Sequence, residues 1–287
     1  MIEAIQIVQY KEVCGLKVSQ IMAKPVTIDK DQRLSRALEL LAKKRVDMLV
    51  VTQNGGVRGI LTYADIADRL SVSKVVAVSI GRLHVSSAMT DTVITVSPDD
   101  EITDVAELMI DRGMSGCPVV DEEDKLVGVI SKTELSSIVK KFEDVTVGDL
   151  MTTKDLLVVN PVERLVKARV EMLDKGYSGL PVTDGGRVLG LLTERAVAEA
   201  MARFSVEVPD KHRKNQVRQI RVVDAMIQQP PLVSEDDSIS VAVEKMLDAY
   251  LNTLPVVGKG NRLVGIISAT DFTRFIANKF KVPESAR

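Results

Sequence analysis

The chain has 287 residues, a length that favours about two domains and a core large enough to need no disulfide or metal. Its 38 Lys and Arg residues nearly cancel its 40 Asp and Glu residues, which argues against a protein that binds nucleic acid or membranes through general positive charge. Aromatic residues make up only 3% of the chain and Trp is absent, so the core must be aliphatic and few rings can stack on nucleic-acid bases.

The chain offers little for thiol or metal chemistry. Cys14 and Cys117 are too few for a disulfide scaffold or a thiolate metal site, and His84 and His212 are too distant in sequence to indicate a ligand pair. No apolar run approaches the length of about 18 residues that spans a bilayer. The first residues show no signal-peptide pattern. We therefore expect a soluble protein of the reducing cytoplasm, without a metal or a membrane association.

Four segments of the chain repeat one pattern. Each begins with Val, reaches Met four residues later, and has a glycine between apolar residues at a nearly constant distance beyond that Met. The four pairs are Met22 and Gly59, Met89 and Gly128, Met151 and Gly190, and Met226 and Gly265. Repetition at a fixed spacing is typical of proteins built from copies of one structural unit, and we number these segments copy 1 to copy 4.

Within each copy the apolar pattern predicts a strand, a helix, two strands and a second helix, in the order β-α-β-β-α. The first strands are predicted at 26–28, 93–96, 156–159 and 232–233. Apolar residues from Leu34 to Leu41 have helical spacing, whereas the equivalent stripe of copy 3 is interrupted by Arg169. A turn rich in Gly or Asp joins the next two strands, as at 121–124 in copy 2.

The repeats also predict how the units are arranged. A unit of about 55 residues cannot bury the apolar faces of its helices alone, so we predict that copy 1 packs with copy 2 and copy 3 with copy 4. The predicted divisions are an N-terminal segment 1–17, units at 18–72, 85–141 and 147–203, a linker at 204–221, and a fourth unit at 222–281. Residues 203–221 contain six basic residues, which we interpret as a solvated linker, with nucleic-acid binding as the alternative.

Two motifs connect these copies to a known family. The start of the second strand in copy 2, Ser115-Gly116-Cys117-Pro118-Val119, and the Gly-x-x-[Ser/Thr]-x-x-Asp ending of copies 1 and 4 resemble cystathionine-β-synthase (CBS) domains. Four such units without an attached enzyme are similar to archaeal proteins of four CBS domains and to the γ subunit of AMP-activated protein kinase. The resemblance implies an α/β fold of β-α-β-β-α units, paired into two Bateman modules that form a flat disk. It also implies that AMP, ADP or ATP binds in clefts between units.

The Ser or Thr of the ending motif has two interpretations. Followed three residues later by an acid, it forms a capping box that starts the last helix, which fits Thr62, Ser131 and Ser268. A helix N-terminus also favours phosphate, and an acid in the first turn can accept hydrogen bonds from ribose hydroxyls. The two roles are compatible.

The resemblance implies the ribose role for Asp65 and Asp271. At the same position copy 3 has Ala196, which lacks a carboxylate, and copy 2 has Glu134, which is one methylene longer. We therefore expect two nucleotide clefts, one at Asp65 and one at Asp271.

By the same resemblance, each nucleotide also contacts the first and second strands of the partner copy. Small residues there let the base lie against the backbone, or they only shape the start of a strand. The expected contacts are Thr62, Val93, Ser115, Gly116 and Pro118 at the Asp65 cleft, and Leu157, Ser178, Gly179, Pro181 and Ser268 at the Asp271 cleft. Lys132, at the position of a phosphate-sensing histidine in the γ subunit, and Arg195 are the expected phosphate contacts, with ordinary surface charge as the alternative.

These features predict a regulatory, energy-sensing protein that binds adenine nucleotide and has no catalysis of its own. The chain has no Gly-x-x-x-x-Gly-Lys-[Ser/Thr] phosphate loop and no catalytic triad with recognisable spacing. We expect an unidentified protein partner, leave a homodimer open, and do not expect nucleic acid as a partner. The alternatives are a sensor of S-adenosylmethionine-type ligands and a nucleic-acid-linked regulator that uses 203–221.

Overall fold

The computed structural model describes Val13, residues 15–71 and residues 78–279. Cys14, most of the predicted N-terminal segment 1–17, and the predicted unit ends at 72 and 280–281 lie outside these residues. Each copy opens with a short helical turn, and every copy contains the predicted helix, two strands and second helix in that order. The opening turns are Val18–Gln20, Val85–Ser87, Val147–Leu150 and Val222–Asp224.

The helices and strands recur at equivalent places in the four copies. Copy 1 contains β1 (Thr27–Asp29), α1 (Leu34–Lys44), β2 (Met48–Gln53), β3 (Gly56–Thr62) and α2 (Tyr63–Ser71). Copy 2 contains α3 (Ile102–Asp111), β4 (Gly116–Val120), β5 (Leu126–Ser131) and α4 (Lys132–Val139). Copy 3 contains α5 (Leu165–Lys175), β6 (Gly179–Asp184), β7 (Arg187–Thr193) and α6 (Glu194–Glu207), and α7 (Asp210–Gln216) follows it. Copy 4 contains β8 (Ile227–Gln228), α8 (Ile239–Ala249), β9 (Thr253–Val257), β10 (Leu263–Ser268) and α9 (Ala269–Lys279). None of the helices in the described part of the chain has the length and apolar character needed to cross a membrane.

The predicted first strand forms a regular strand only in copy 1. There β1 pairs in parallel with β2, and the Val50 N–H donates to the Val26 carbonyl oxygen at 3.0 Å. In the other copies a single parallel bridge remains, at Val96–Val119, Val159–Val182 and Val233–Val256. The strands predicted at 93–96, 156–159 and 232–233 are therefore too long. The residue equivalent to Val50 is Pro118, Pro181 or Pro255, which has no N–H to extend the ladder.

Copies 1 and 2 exchange their opening segments. The Leu34 N–H at the start of α1 donates to the carbonyl oxygen of Leu83, just before copy 2, at 2.8 Å, and the Ile102 N–H at the start of α3 donates to that of Leu16, just before copy 1, at 3.0 Å. The equivalent pairs in copies 3 and 4 are Leu165 with Ile220 and Ile239 with Val145. Each copy therefore completes the first helix of its partner, and the copies pair as predicted.

The repeated methionine and glycine meet across each pair of copies and not within one copy. Met22 packs on Gly128 and Met89 on Gly59, while in the second pair Met151 packs on Gly265 and Met226 on Gly190. A Cβ atom on Gly128 would lie 2.5 Å from the sulfur of Met22, and one on Gly59 would lie 2.6 Å from the carbonyl oxygen of Thr90. Only glycine fits this close approach.

Helices join the two pairs into a ring. In copy 1, α2 packs against α5 and α6 of copy 3, and in copy 4, α9 packs against α3 and α4 of copy 2. The buried side chains of copies 1 and 3 form one hydrophobic core, and those of copies 2 and 4 dominate the other. The copies therefore close in the order 1-2-4-3, and the predicted arrangement of two paired modules is confirmed.

Arg169, the residue that interrupts the apolar stripe of copy 3, lies in the interface between copies 1 and 3. It is buried on α5, and its guanidinium makes an ion pair with Asp68 on α2. Its Nε atom is buried without a hydrogen-bond partner. The polar interruption of the stripe is thus a contact between the two modules.

The basic segment 203–221 is folded back onto the ring. Helix α6 continues to Glu207, and Arg213 in α7 is buried, with its Nε donating to the Val208 carbonyl oxygen at 2.6 Å. Arg213 also makes an ion pair with Asp210 at 2.7 Å. The expectation of a solvated segment is therefore wrong for Arg213, because this side chain holds two turns of the segment together. The basic residues Lys211, Lys214 and Arg218 are exposed.

Candidate functional site

The last helix of every copy begins at the centre of the ring. Tyr63, Lys132, Glu194 and Ala269 are the first residues of α2, α4, α6 and α9, and all four line one cavity of about 540 Å³. The free N–H groups of a helix N-terminus and the positive end of its dipole favour an anion. Small-molecule sites usually enclose about 300–1,000 Å³, so this cavity is the candidate site.

The acids of the ending motifs cap these helices. Asp65 Oδ2 accepts hydrogen bonds from the backbone N–H and the hydroxyl of Thr62, both at 2.7 Å. Glu134 caps Ser131 and Asp271 caps Ser268 in the same way. The capping box is therefore confirmed in copies 1 and 2, where the extra methylene of Glu134 does not prevent it, and in copy 4 the bonds from Ser268 to Asp271 are present.

The second carboxylate oxygen distinguishes Asp65 from Asp271. Asp65 Oδ1 accepts from the hydroxyl of Thr90 at 3.3 Å, a long contact with a neutral group. Asp271 Oδ1 makes an ion pair with Arg274 at 3.1 Å. Burial raises the pKa of both carboxyl groups, and their capping hydrogen bonds oppose this rise. Asp65 therefore has the more available acceptor.

The cavity collects most of the contacts predicted for the Asp65 cleft. Thr62, Asp65, Val93, Ser115 and Gly116 all line it. Pro118 lies further along β4, buried and outside the lining. The structure thus brings the Asp65 carboxylate, which caps the last helix of copy 1, and the start of β4 to the same space, as the paired arrangement of copies 1 and 2 requires.

The residues predicted for the Asp271 cleft are placed differently. Ser178 lines the cavity, but its hydroxyl lies 2.9 Å from that of Thr253 in copy 4. A Cβ atom on Gly179 would lie 3.2 Å from the Cβ of Thr253, so these two copies pack closely at this point. The remaining predicted contacts are not in the cavity lining: Leu157, Gly179, Pro181, Ser268 and Asp271.

Both predicted phosphate contacts line the cavity. The Lys132 ammonium donates to the hydroxyl of Thr270 in copy 4 at 3.0 Å. Burial lowers the pKa of Lys132, and the negative charge of Glu194 opposes this shift. The guanidinium of Arg195 lies over the ring of Tyr250, 5.0 Å from its centre, which is a cation–π contact. Lys132 thus has a neutral hydrogen-bond partner, and the nearby Glu194 is a negative charge that acts on it.

Tyr63, Glu194 and Tyr250 are among the cavity residues that were missed at the level of sequence. Tyr63 is 4% exposed, and its buried hydroxyl has no hydrogen-bond partner of good geometry, as is also true of Tyr250. Burial raises the pKa of Tyr63 to about 12 and that of Glu194 to about 7. Tyr63 and Glu194 occupy the same position of the repeat as Lys132, so alignment of the copies could have identified them. Tyr250 follows α8, and no sequence signal places it here.

The two histidines and Arg45 do not line the cavity. His84 and His212 are exposed. The Arg45 guanidinium of copy 1 also lies over the Tyr250 ring of copy 4, 5.7 Å from its centre. Within the described ranges, no three His, Cys, Asp or Glu side chains are grouped so that they could hold a metal ion. Burial raises the pKa of the Cys117 thiol to about 11, so it is not a thiolate at neutral pH.

Comparison with known protein families decides the family. The model of the family described as CBS domain matches residues 18–72, 85–141, 147–203 and 217–278. The chain belongs to the CBS domain family. CBS domains are generally regulatory, and enzymes also contain them. Inosine-5′-monophosphate dehydrogenase of Methanocaldococcus jannaschii is 38% identical over 109 residues, which are 37% of this chain and 21% of that enzyme.

Two solved structures share the arrangement of the whole chain. MJ1225 of Methanocaldococcus jannaschii, which its description relates to γ-AMPK, has a TM-score of 0.79 at 23% identity, covering 91% of this chain and 100% of that one. Its sequence is 24% identical over 277 residues, which are 98% of its length. A conserved protein of Pyrococcus horikoshii has a TM-score of 0.61 at 18% identity, with coverage of 91% and 100%. At these identities the comparison shows that the fold of this CBS-domain chain is shared.

Proposed function

We propose that this CBS-domain protein is a regulatory sensor that binds AMP, ADP or ATP at the centre of the ring and has no catalysis of its own. The observation that carries the proposal is that the Asp65 carboxylate and the partly buried Lys132 side chain line the same cavity. One group suits the ribose and the other the phosphate of a nucleotide. Ligand binding in the cavity would be signalled to a protein partner, which could contact any of the four copies of the ring.

The cavity contains residues suited to each part of a nucleotide. Asp65 Oδ1 has only the long contact to Thr90, so it can accept from ribose hydroxyls as a charge-assisted acceptor. Val93 and the backbone of Ser115 and Gly116 line the same space and suit the flat adenine base. Lys132 and the N-termini of the last helices suit phosphate. These residues come from copies 1 and 2.

A second site at Asp271 is proposed as the weaker one. Asp271 is 7% exposed and its second oxygen already pairs with Arg274. A ribose would have to displace this ion pair and separate Ser178 from Thr253. We therefore propose at most two sites per chain, with the Asp65 site the tighter.

The test is calorimetry with AMP, ADP, ATP and S-adenosylmethionine on the native chain, Asp65→Asn and Glu134→Gln. Both variants keep an amide oxygen that can cap the last helix, but only Asp65→Asn removes the proposed ribose acceptor. We expect Asp65→Asn to weaken nucleotide binding about tenfold to hundredfold, because one or two ribose hydroxyls lose a charged acceptor in a partly dry cavity. Glu134→Gln should bind as the native chain does.

The other arms of this experiment separate the alternatives. Equal losses in both variants would contradict the ribose role of Asp65. Binding of S-adenosylmethionine without binding of nucleotides would replace the proposed ligand by a sulfonium compound. ADP formed steadily from ATP, and lost in Asp65→Asn, would mean that the protein is an enzyme. A salt-dependent gel shift through Lys211, Lys214 and Arg218 would instead indicate a nucleic-acid-linked regulator.

A further inference from the structure

Opposite charges are balanced around the central cavity. Three carboxylates, from Asp47, Asp65 and Glu194, and three cations, from Arg112, Lys132 and Arg195, line it. A site built only to attract phosphates would show an excess of cations. The carboxylates therefore need an explanation of their own.

Asp65 is the proposed ribose acceptor and Asp47 accepts a hydrogen bond from the hydroxyl of Thr133 at 2.9 Å, whereas no part of the proposed nucleotide site uses Glu194. It is the first residue of α6, where the other copies have Tyr63, Lys132 and Ala269. The helix is capped without it, because Thr193 accepts a hydrogen bond from the Ala196 N–H at 3.1 Å. A carboxylate on the first residue of α6 adds negative charge near this helix N-terminus, which would otherwise favour a phosphate.

The surroundings of Glu194 disfavour further negative charge. Burial raises its pKa to about 7, and the charges of Asp65 on α2 and Asp47 before β2 raise it too, while Lys132 on α4 opposes them. Arg195 follows it on α6 but points its guanidinium over the ring of Tyr250. Glu194 and a bound phosphate would therefore compete for Lys132.

We propose that Glu194 determines the charge specificity of the cavity and favours a nucleoside monophosphate over the triphosphate. The inference rests on the proposed nucleotide site. Repulsion from the carboxylate grows with each added phosphate group, whereas the ribose and base contacts are the same for AMP and ATP. When a phosphate binds, Glu194 takes up a proton from the solvent and so reduces the repulsion.

The experiment compares AMP and ATP binding by calorimetry in the native chain, Glu194→Gln and Glu207→Gln. Glu207 is exposed at the opposite end of α6, so its variant makes the same change of charge far from the cavity. At about pH 8.5, Glu194→Gln should bind ATP about tenfold more tightly and AMP less than about threefold more tightly than the native chain does. Glu207→Gln should leave both affinities unchanged.

A second readout is the number of protons taken up, measured in two buffers of different ionisation enthalpy near pH 7. The phosphate's own proton is common to both chains, so a smaller uptake by Glu194→Gln reports the carboxyl group. At about pH 6 the native carboxyl is mostly neutral, and the ATP-to-AMP ratios of native chain and variant should converge.

The outcomes separate this inference from the proposed function. If native chain and variant bind both nucleotides with the same affinity ratio and the same proton uptake, Glu194 has no role in charge specificity and the inference is wrong. If the native chain binds neither AMP nor ATP, the proposed function itself fails. Thermal unfolding of both variants shows that the proteins compared are folded.

Discussion

At the scale of single residues, the centre of the ring holds ionisable side chains whose pKa values are shifted by burial. Lys132 has the neutral hydroxyl of Thr270 as its hydrogen-bond partner, and burial lowers its pKa. Glu194 does not cap its helix, and burial raises its pKa to about 7. Both groups destabilise the empty ring in their charged forms, and an anionic ligand would offset this cost at Lys132 but not at Glu194.

The raised pKa of Glu194 predicts how stability depends on pH. The ordinary pKa is 4.5 and the folded value is about 7, so the folded chain holds this proton to higher pH than the unfolded chain does. The contribution of Glu194 to the free energy of unfolding therefore falls as the pH rises from 4.5 to about 7. Glu194→Gln should be more stable than the native chain by about 1–3 kcal/mol above this range, and equally stable below it.

Urea unfolding of the two chains at the two ends of this pH range measures the difference, with Glu207→Gln as the control for loss of charge. A constant difference between native chain and Glu194→Gln at all pH values would contradict the prediction, because it would not follow the titration of this group.

At the scale of elements, the copies are held together because each contributes hydrogen bonds and a side-chain contact to its partner. The opening segment of one copy donates or accepts the hydrogen bonds that start the partner's first helix, and its methionine covers the partner's glycine. A helix end without these bonds would leave buried backbone groups unpaired. One copy alone is therefore incomplete, and the pair is the smallest unit that satisfies its own backbone.

Gly59→Ala should weaken the pairing of copies 1 and 2. Its Cβ would lie 2.6 Å from the Thr90 carbonyl oxygen, a backbone atom that already accepts a hydrogen bond from the Ile60 N–H. We expect a loss of about 1–3 kcal/mol in the free energy of unfolding, since β3 and the opening segment must move apart.

Gly56→Ala is the matched control in the same strand. Its Cβ would meet only the Gln53 carbonyl oxygen, at an ordinary 3.7 Å. Urea unfolding of both variants decides the matter: equal stability of the two would mean that the close approach of Gly59 and Thr90 is not needed for pairing.

At the scale of the whole molecule, the two modules are joined by helix packing in two separate cores. Copies 1 and 3 share one core and copies 2 and 4 dominate the other, so the cavity at the ring centre exists only when both interfaces are closed. The Arg169–Asp68 ion pair crosses the first interface, with Arg169 buried and the Asp68 side chain 61% exposed. An arginine in such a place costs desolvation that its partner only partly offsets.

Asp68→Ala and Arg169→Met should therefore have opposite effects. Asp68→Ala leaves the buried guanidinium without its carboxylate and should lower the free energy of unfolding by about 1–2 kcal/mol, a figure reduced because Asp68 is largely exposed. Arg169→Met restores the apolar stripe and removes the unpartnered Nε, so it should be neutral or stabilising by about 1 kcal/mol.

Chemical unfolding of both variants provides the measurement. Equal destabilisation by the two substitutions would show that the ion pair itself holds the modules together, and that the helix packing around it is not sufficient.

Much of this architecture can be predicted from local sequence patterns. The helical stripe from Leu34, the capping boxes at Thr62, Ser131 and Ser268, and the fourfold repeat involve residues that are close in sequence, and short-range periodicity and capping report them directly. The paired arrangement also followed, because one copy has too small a core. The prediction of the first strands was wrong because it used local sequence only. The effect of Pro118 on a strand 22 residues earlier depends on how the two strands pair.

The tertiary structure alone decided which copies meet at which atoms. A fixed distance from Met22 to Gly59 cannot show that Met22 covers Gly128 instead, since identical spacing results whether the contact lies within a copy or across a pair. The convergence of Lys132 with Thr270, and of Arg195 with Tyr250, likewise depends on ring closure between distant copies. Burial and desolvation arise only from this packing, so the charge environment of Glu194 could not be read from its neighbours in the chain.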